Sequence, residues 1–210
     1  MTAPEALTYD KLVSQIILYC ERAGDQDFID EIPNLIMLAE QRLALEAKGL
    51  GFLRVVSGNL AINDPVLSKP DRWRQTKSFF YTNLTGKAHY LRPRKYEYCR
   101  IYAAGEVAAP PEFYSDYDFD HYFLALTPDQ SYAFELSYYE RPTPLSSSVQ
   151  TNWTTRYAPQ LILYACLLEA QPFLKDTNLL GMWQSQYAEI IASLQKEDAE
   201  HNHDNTEDGR

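Results

Sequence analysis

The sequence predicts an α+β fold: an antiparallel helix bundle formed by the N- and C-terminal helices, with an inserted antiparallel β-domain. Apolar residues recur at helical spacing near both ends of the chain, but from residue 54 to 142 they alternate as in half-buried strands. Eleven of the sixteen tyrosines fall within residues 81–139. We expect residues 1–53 and 143–199 to form the bundle, 54–142 a β-rich insertion and 200–210 a disordered tail.

The first two helices are predicted from capping residues and apolar spacing. Thr8 can cap a helix that ends at Gly24. A second helix follows Asp30, has Pro33 in its first turn and stops at Gly49. Because the connection between the two is short, they should pack antiparallel.

Alternating segments predict five strands in the insertion. In the clearest, residues 132–140, four large apolar side chains share one face: Tyr132, Phe134, Leu136 and Tyr138. The other strands are expected near residues 55–62, 76–83, 88–92 and 119–126. Pro128 presets the backbone of a turn over residues 127–130, which would join the last two strands as a hairpin.

Helical spacing returns after a linker at residues 142–150. Pro159 can open a helix whose residues 161–168 are apolar on nearly every side, so this helix should be the most buried member of the bundle. Asp176 can cap a final helix, in which Trp183 lies at the centre of the apolar stripe.

Composition argues against several classes of protein. With 210 residues and 45% hydrophobic content, the chain can form one ordinary core. No apolar run approaches the ~20 residues of a membrane helix and no secretory signal is recognisable, so we expect an intracellular, soluble product. The net charge of −10 argues against general nucleic-acid binding. Cys20, Cys99 and Cys166 are odd in number and far apart, which favours buried, reduced thiols.

Motifs for catalysis are missing from the sequence. It has no phosphate-binding glycine loop, no Gly-x-Ser-x-Gly elbow and no Cys-x-x-Cys pair, so we expect no catalytic residues, no cofactor and no metal. The alternative is a small metal-dependent hydrolase that would use Asp116, Asp118, Asp120 and His121. Alternate residues on a strand could point three carboxylates one way, but the pattern lacks the glycine and distal glutamate of a calcium loop. We therefore interpret it as a solvated strand face or turn.

The candidate binding residues form a basic, tyrosine-rich segment and an acidic C-terminal segment. Arginine and tyrosine are the usual anchors of protein interfaces, so we expect such an interface at Arg92, Arg94, Lys95, Tyr96, Tyr98 and Arg100. Single-stranded nucleic acid, bound by stacking and phosphate contacts, is the alternative ligand. Residues 196–210 hold six acids against two bases, which indicates a different partner at that end.

Several short motifs occur in a fixed order along nearly the whole chain. They are LRPRKYEYCR (91–100), FY (113–114) with residues 116–121, YYERP (138–142), TNW (151–153), YAP (157–159), LYA (163–165) and LEAQPFLK (168–175). In that order and spacing, the set resembles the adaptor proteins of phage head-to-tail connectors, known chiefly from short-tailed phages. These motifs are structural and not catalytic.

The resemblance implies a structural virion protein that is assembled in the host cytoplasm, not an enzyme, without membrane contact. It implies a ring of about twelve copies between the portal protein and a downstream tail or nozzle protein. Double-stranded DNA would pass through this ring without specific binding. The resemblance also supports portal docking by the C-terminal end, with candidate residues Leu194, Glu197, Asp198 and Glu200. A head-completion or stopper protein of a long-tailed phage is the alternative within the same structural class.

Overall fold

The computed structural model describes residues 6–46, 52–174 and 179–202. The chain divides into two compact units, which we call the helical unit (residues 1–52 and 142–210) and the β unit (residues 53–141). The molecule is therefore mixed α+β with mostly antiparallel strand pairs, as predicted. Within the described ranges, no helix combines the length and apolar content needed to cross a bilayer.

Six α-helices and eight strands follow one another along the described chain. The helices are α1 (Tyr9–Tyr19), α2 (Gln26–Glu46), α3 (Tyr96–Tyr102), α4 (Trp153–Tyr157), α5 (Pro159–Glu169) and α6 (Leu180–Asn202). The strands are β1 (Leu53–Leu60), β2 (Val66–Ser68), β3 (Trp73–Thr82), β4 (Ala88–Tyr90), β5 (Arg92–Pro93), β6 (Phe113–Asp116), β7 (His121–Ala125) and β8 (Tyr132–Glu140).

The beginning of α1 agrees with the prediction, and its end lies earlier than predicted. The Oγ1 atom of Thr8 accepts a hydrogen bond from the backbone N–H of Lys11 at 3.2 Å, which caps the helix. The helix ends at Tyr19, and Gly24 lies in the connection with a φ of +86°. Glycine adopts this left-handed conformation without the steric cost that a Cβ would add.

The predicted start of α2 is wrong. The helix begins at Gln26, because the carboxylate of Asp25 accepts a hydrogen bond from the N–H of Phe28 at 3.2 Å and so satisfies the first turn. Pro33 lies inside the helix, on its exposed side. The predicted end at Gly49 lies outside the described residues.

Helix α5 forms the centre of the core in the helical unit. Pro159 is its first residue, as predicted, and the helix contacts α1, α2, α4 and α6. In α6, Trp183 is only 2% exposed and so lies within this core, as its place on the apolar stripe predicted. Asp176 lies outside the described residues. Because α6 runs to Asn202, it extends into the segment that we expected to be a disordered tail, of which residues 203–210 are not described.

Two four-stranded sheets build the β unit, in the orders β1-β8-β3-β4 and β2-β7-β6-β5. Buried aromatic side chains from both sheets meet in one cluster, including Phe79 and Tyr132 from the first sheet and Tyr122 from the second. One strand pair departs from the predicted antiparallel arrangement, since β5 pairs with β6 in parallel.

The predicted hairpin at residues 127–130 is also wrong. Strand β7 pairs with β6 and β2, whereas β8 pairs with β1 and β3, so this turn carries the chain from one sheet to the other. The backbone N–H of Asn63 donates to the carbonyl of Pro128 at 2.8 Å, which ties the crossover to the β1–β2 connection. Tyr122 and Leu136 both face the shared core, one from each sheet.

The predicted strand at residues 88–92 is divided into two short strands. Leu91 is fully buried and its N–H donates to the carbonyl of Phe79, after which the chain leaves the first sheet. The N–H of Arg92 then donates to the carbonyl of Glu112, beside the second sheet. Strands β2 and β6 and helix α3 were not predicted from the sequence.

Candidate protein interface

Helix α3 covers part of the second sheet and presents the predicted basic segment to solvent. Cys99 is fully buried and packs with Phe113, Phe123 and Ala125, while the partly buried Tyr96 adds to this cluster. Residues three apart on a helix share a face, so the inward positions of Tyr96 and Cys99 leave Glu97, Tyr98 and Arg100 on the exposed side of α3. The other three bases precede the helix and are exposed as well. We call the six predicted residues the arginine–aromatic surface: Arg92, Arg94, Lys95, Tyr96, Tyr98 and Arg100.

One half of this surface is built around Phe113. The guanidinium of Arg92 lies 5.1 Å from the centroid of the Phe113 ring, and that of Arg94 lies 5.4 Å from it. Arg94 is also 5.8 Å from the ring of Tyr98, which is 46% exposed and stacks on Tyr102 with an interplanar angle of 12°. The structure therefore brings Arg92, Arg94 and Tyr98 together.

The other half is built around Phe123. The guanidinium of Arg100 lies 5.4 Å from its ring centroid, and the ring of Tyr96 packs edge-on at 5.7 Å. Tyr117 stacks on the same ring at 6.3 Å. A cation–π contact at an exposed site contributes about 0.5–1 kcal/mol, which is enough to restrain an arginine without burying its charge. Lys95, at the N-cap of α3, is exposed.

The four bases of the surface form no ion pairs within the described residues, and Glu97 is the one acid between them in the sequence. In the part of the chain that the structure describes, no carboxylate lies within 4 Å of the side-chain nitrogens of Arg92, Arg94, Lys95 or Arg100. Other bases of the β unit differ, since both Arg54 and Arg72 bind the buried carboxylate of Glu140. Arginine side chains that are already restrained and unpaired are suited to binding a negatively charged partner. They lose little conformational entropy when the partner binds.

The thiol of Cys99, which is buried beneath the arginine–aromatic surface, is expected to be unreactive. Burial raises the pKa of Cys99, although the neighbouring hydroxyl of Ser115 and the nearby charge of Arg94 act in the opposite direction. Cys20 and Cys166 are buried and free as well, and burial also raises their pKa values. Thiolate is the reactive form of cysteine, so these three side chains act as small apolar groups.

The four residues of the hydrolase alternative do not converge. Only Asp116 lies in β6, where it accepts a salt bridge from Lys69 at 2.8 Å, whereas Asp118 and Asp120 lie in the turn that leads to β7. The carboxylate of Asp118 binds Nδ1 of His121 at 2.9 Å and the N–H of Asp120 at 2.8 Å. Among the described residues, no group of three or more His, Cys, Asp or Glu side chains could hold a metal ion.

A buried carboxylate in the helical unit was missed by the sequence reasoning. Glu40 is 6% exposed, and its Oε1 accepts hydrogen bonds from Nδ2 of Asn152 at 2.7 Å and from the N–H of Leu145 at 3.2 Å. Burial raises the pKa of Glu40 to about 7, against the opposite effect of both hydrogen bonds. Asn152 also donates to the carbonyl of Thr143 and caps α4, so this network fastens residues 143–155 to α2. The sequence signal that could have revealed the burial of Glu40 is its position one helical turn after the buried Ile36, on the same face of α2.

The candidate portal residues lie at the end of α6. Leu194 is half-buried against the core of the helical unit, and Gln195 donates to the carbonyl of Glu46 at 3.2 Å. Beyond this anchor, Glu197 and Glu200 are exposed. Asp198 lies in the helix, and its side chain is outside what the structure describes. The structure therefore leaves the acidic end of α6 accessible.

Together, the two-unit fold and the mostly exposed candidate interface residues favour a protein that acts by binding other proteins. A family model described as SU10 adaptor protein matches residues 7–207. Because the match spans nearly the whole chain, the chain belongs to this family of phage head–tail adaptors, and the family predicted from its motifs is confirmed. It is thus a structural component of a phage virion. A comparison with curated proteins finds no match.

Proposed function

We propose that this protein is the adaptor that forms a ring beneath the portal and joins the portal to the tail. The observation that carries the proposal is the family match over residues 7–207, since head–tail adaptors act by binding a portal, a tail protein and one another. A ring of about twelve copies would match the symmetry of a portal, which gives every subunit the same environment.

Two separate surfaces support a role between two partners. The arginine–aromatic surface lies in the β unit and contacts a neighbouring subunit or the tail, and the end of α6 lies in the helical unit and contacts the portal. The portal residues are Leu194, Glu197, Asp198 and Glu200. An acidic helix end favours a basic portal surface, so this contact weakens as salt screens the charges.

The distribution of charge is compatible with DNA that passes through without being bound. Residues 53–141 contain eleven Lys and Arg and eleven Asp and Glu, so the remaining residues carry the whole net charge of −10. Acidic surfaces repel phosphates, and a ring that held DNA tightly would hinder its release.

The test is assembly on the portal. The full chain is mixed with the portal of the same phage, sedimented, and imaged by electron microscopy. We expect an added ring on the portal, and a variant lacking residues 197–210 should bind weakly while its melting temperature changes little. Glu189→Gln, which changes an exposed acid earlier on α6, serves as the control and should bind normally. A full chain that leaves the portal bare would contradict the proposal.

A further inference from the structure

The exposed face of α2 is acidic over its first turns. Asp27 and Asp30 are exposed and Glu31 is half-buried, at spacings that place them along one side of the helix. From Arg22 to Arg42 the sequence contains no further lysine or arginine. No ion pair involves these three acids in the described part of the chain, so their charges remain available.

Neutral side chains hold two of these carboxylates in place. Nε2 of Gln26 donates to Asp30 at 2.7 Å, and Nδ2 of Asn34 donates to Glu31 at 3.2 Å. These hydrogen bonds restrain the carboxylates without cancelling their charge, just as aromatic rings restrain the arginines in the β unit. Charged side chains of both surfaces therefore make contacts within the chain that leave their charges unpaired.

Exposed apolar side chains lie beside the charges on both surfaces. On α2, Met37 and Leu38 follow the acids and are 46% and 42% exposed. On α3, Tyr98 and Ile101 are 46% and 78% exposed. The two surfaces are thus opposite in charge and alike in having an apolar part that contact would remove from water.

We propose that the arginine–aromatic surface of one copy docks on the acidic face of α2 of the next copy. This inference rests on the proposed ring and names its subunit contact. A contact between two different surfaces continues from copy to copy and forms a ring when the rotation between copies closes, whereas a surface with an excess of one charge repels a second copy of itself. Lys95, Arg94 and Arg100 face Asp27, Asp30 and Glu31 across the interface.

The first test uses carbodiimide, which joins an amine to a carboxylate only when the two are in contact. Lys95 supplies the amine of the arginine–aromatic surface. The full chain is prepared in heavy-isotope and ordinary forms, mixed, and coupled both on portal rings and alone at high concentration. Mass spectrometry should find mixed-isotope links from Lys95 to Asp27, Asp30 or Glu31. Absence of such links under both conditions overturns the inference.

The second test exchanges the charges. Arg94→Glu with Arg100→Glu, or Asp27→Lys with Asp30→Lys, should each abolish rings on the portal. Mixing the two variants should restore rings, because each altered surface then meets an opposite charge on the other variant.

The matched control is Lys87→Glu, an exposed base elsewhere in the β unit, which should assemble as the parent does. If the parent forms rings on the portal but mixing the two variants does not restore them, this contact is refuted and the adaptor role remains. If the parent forms no ring, the proposed function fails, and the coupling of the concentrated chain alone still decides whether the contact exists. Rings that persist in the Arg94→Glu, Arg100→Glu variant would also overturn it.

Discussion

Replacing Glu40 by glutamine should stabilise the helical unit at neutral and basic pH, and the gain should be much smaller at pH 5. The carboxyl group is buried, and burial raises its pKa from an ordinary value of 4.5 to about 7. Its native form therefore keeps a proton up to a higher pH than its unfolded form does. The glutamine amide resembles the protonated carboxyl group. Its oxygen can take the place of Oε1, which accepts from Asn152 and Leu145, and its NH2 group takes the place of Oε2, which the N–H of Leu145 also approaches at 3.2 Å.

The sign and size of the effect follow from proton linkage. Between pH 4.5 and about 7 the native state binds more protons than the unfolded state, so the free energy of unfolding falls as pH rises and levels off above about 7. The difference between the two pKa values corresponds to ~3 kcal/mol. Glutamine has no proton to lose, so Glu40→Gln should be more stable than the parent by up to about this amount at pH 8.

Urea unfolding, followed by circular dichroism at pH 5, 6, 7 and 8, measures this difference. Glu31→Gln, which removes a half-buried carboxylate from the same helix, serves as the control for the loss of one acidic group. The reasoning is refuted if the difference between Glu40→Gln and the parent is the same at every pH, or if the variant is the less stable protein at pH 8.

Three further predictions concern the core and the acidic turn. Trp183→Ala should destabilise the protein by about 3–5 kcal/mol, because Trp183 is 2% exposed, whereas Met182→Ala, at a 52% exposed neighbour, should change the melting temperature little. Gly58→Ala should lower the free energy of unfolding in urea by about 1–3 kcal/mol, since the added Cβ would lie 2.8 Å from the ring of Phe134. Elemental analysis should find no stoichiometric metal in the purified chain, and Asp118→Asn should leave its metal content unchanged; one metal per chain that this substitution removes would contradict the prediction.

The features that the sequence predicted well depend on neighbouring residues. Thr8 caps α1 and Pro159 opens α5 because capping and the fixed φ of proline act within one helical turn. The apolar stripe around Trp183 likewise follows from spacing alone. Such signals are contained in a few consecutive residues, and so one sequence is sufficient to detect them.

The features that were missed depend on partners distant in sequence. The alternation of β7 and β8 predicts two strands but not their sheets, so the turn at Pro128 was assigned to a hairpin instead of a crossover. In α3, the tyrosines alternate as they would in a strand, and only the packing of Cys99 against Phe113 and Phe123 explains a helix there. The buried state of Glu40 depends on Asn152, more than one hundred residues away.

The place of α5 at the centre of the helical core sets the order in which the protein can fold during synthesis. Helices α1 and α2 leave the ribosome about one hundred residues before α5, which at 5–20 residues per second is a delay of roughly 5–20 s. The β unit contains its own core and needs no residue beyond 141 to complete it. The acidic face of α2 therefore acquires the support of the helical core only once α5 has been synthesised, so that shorter chains lack the surface to which a neighbouring copy would bind.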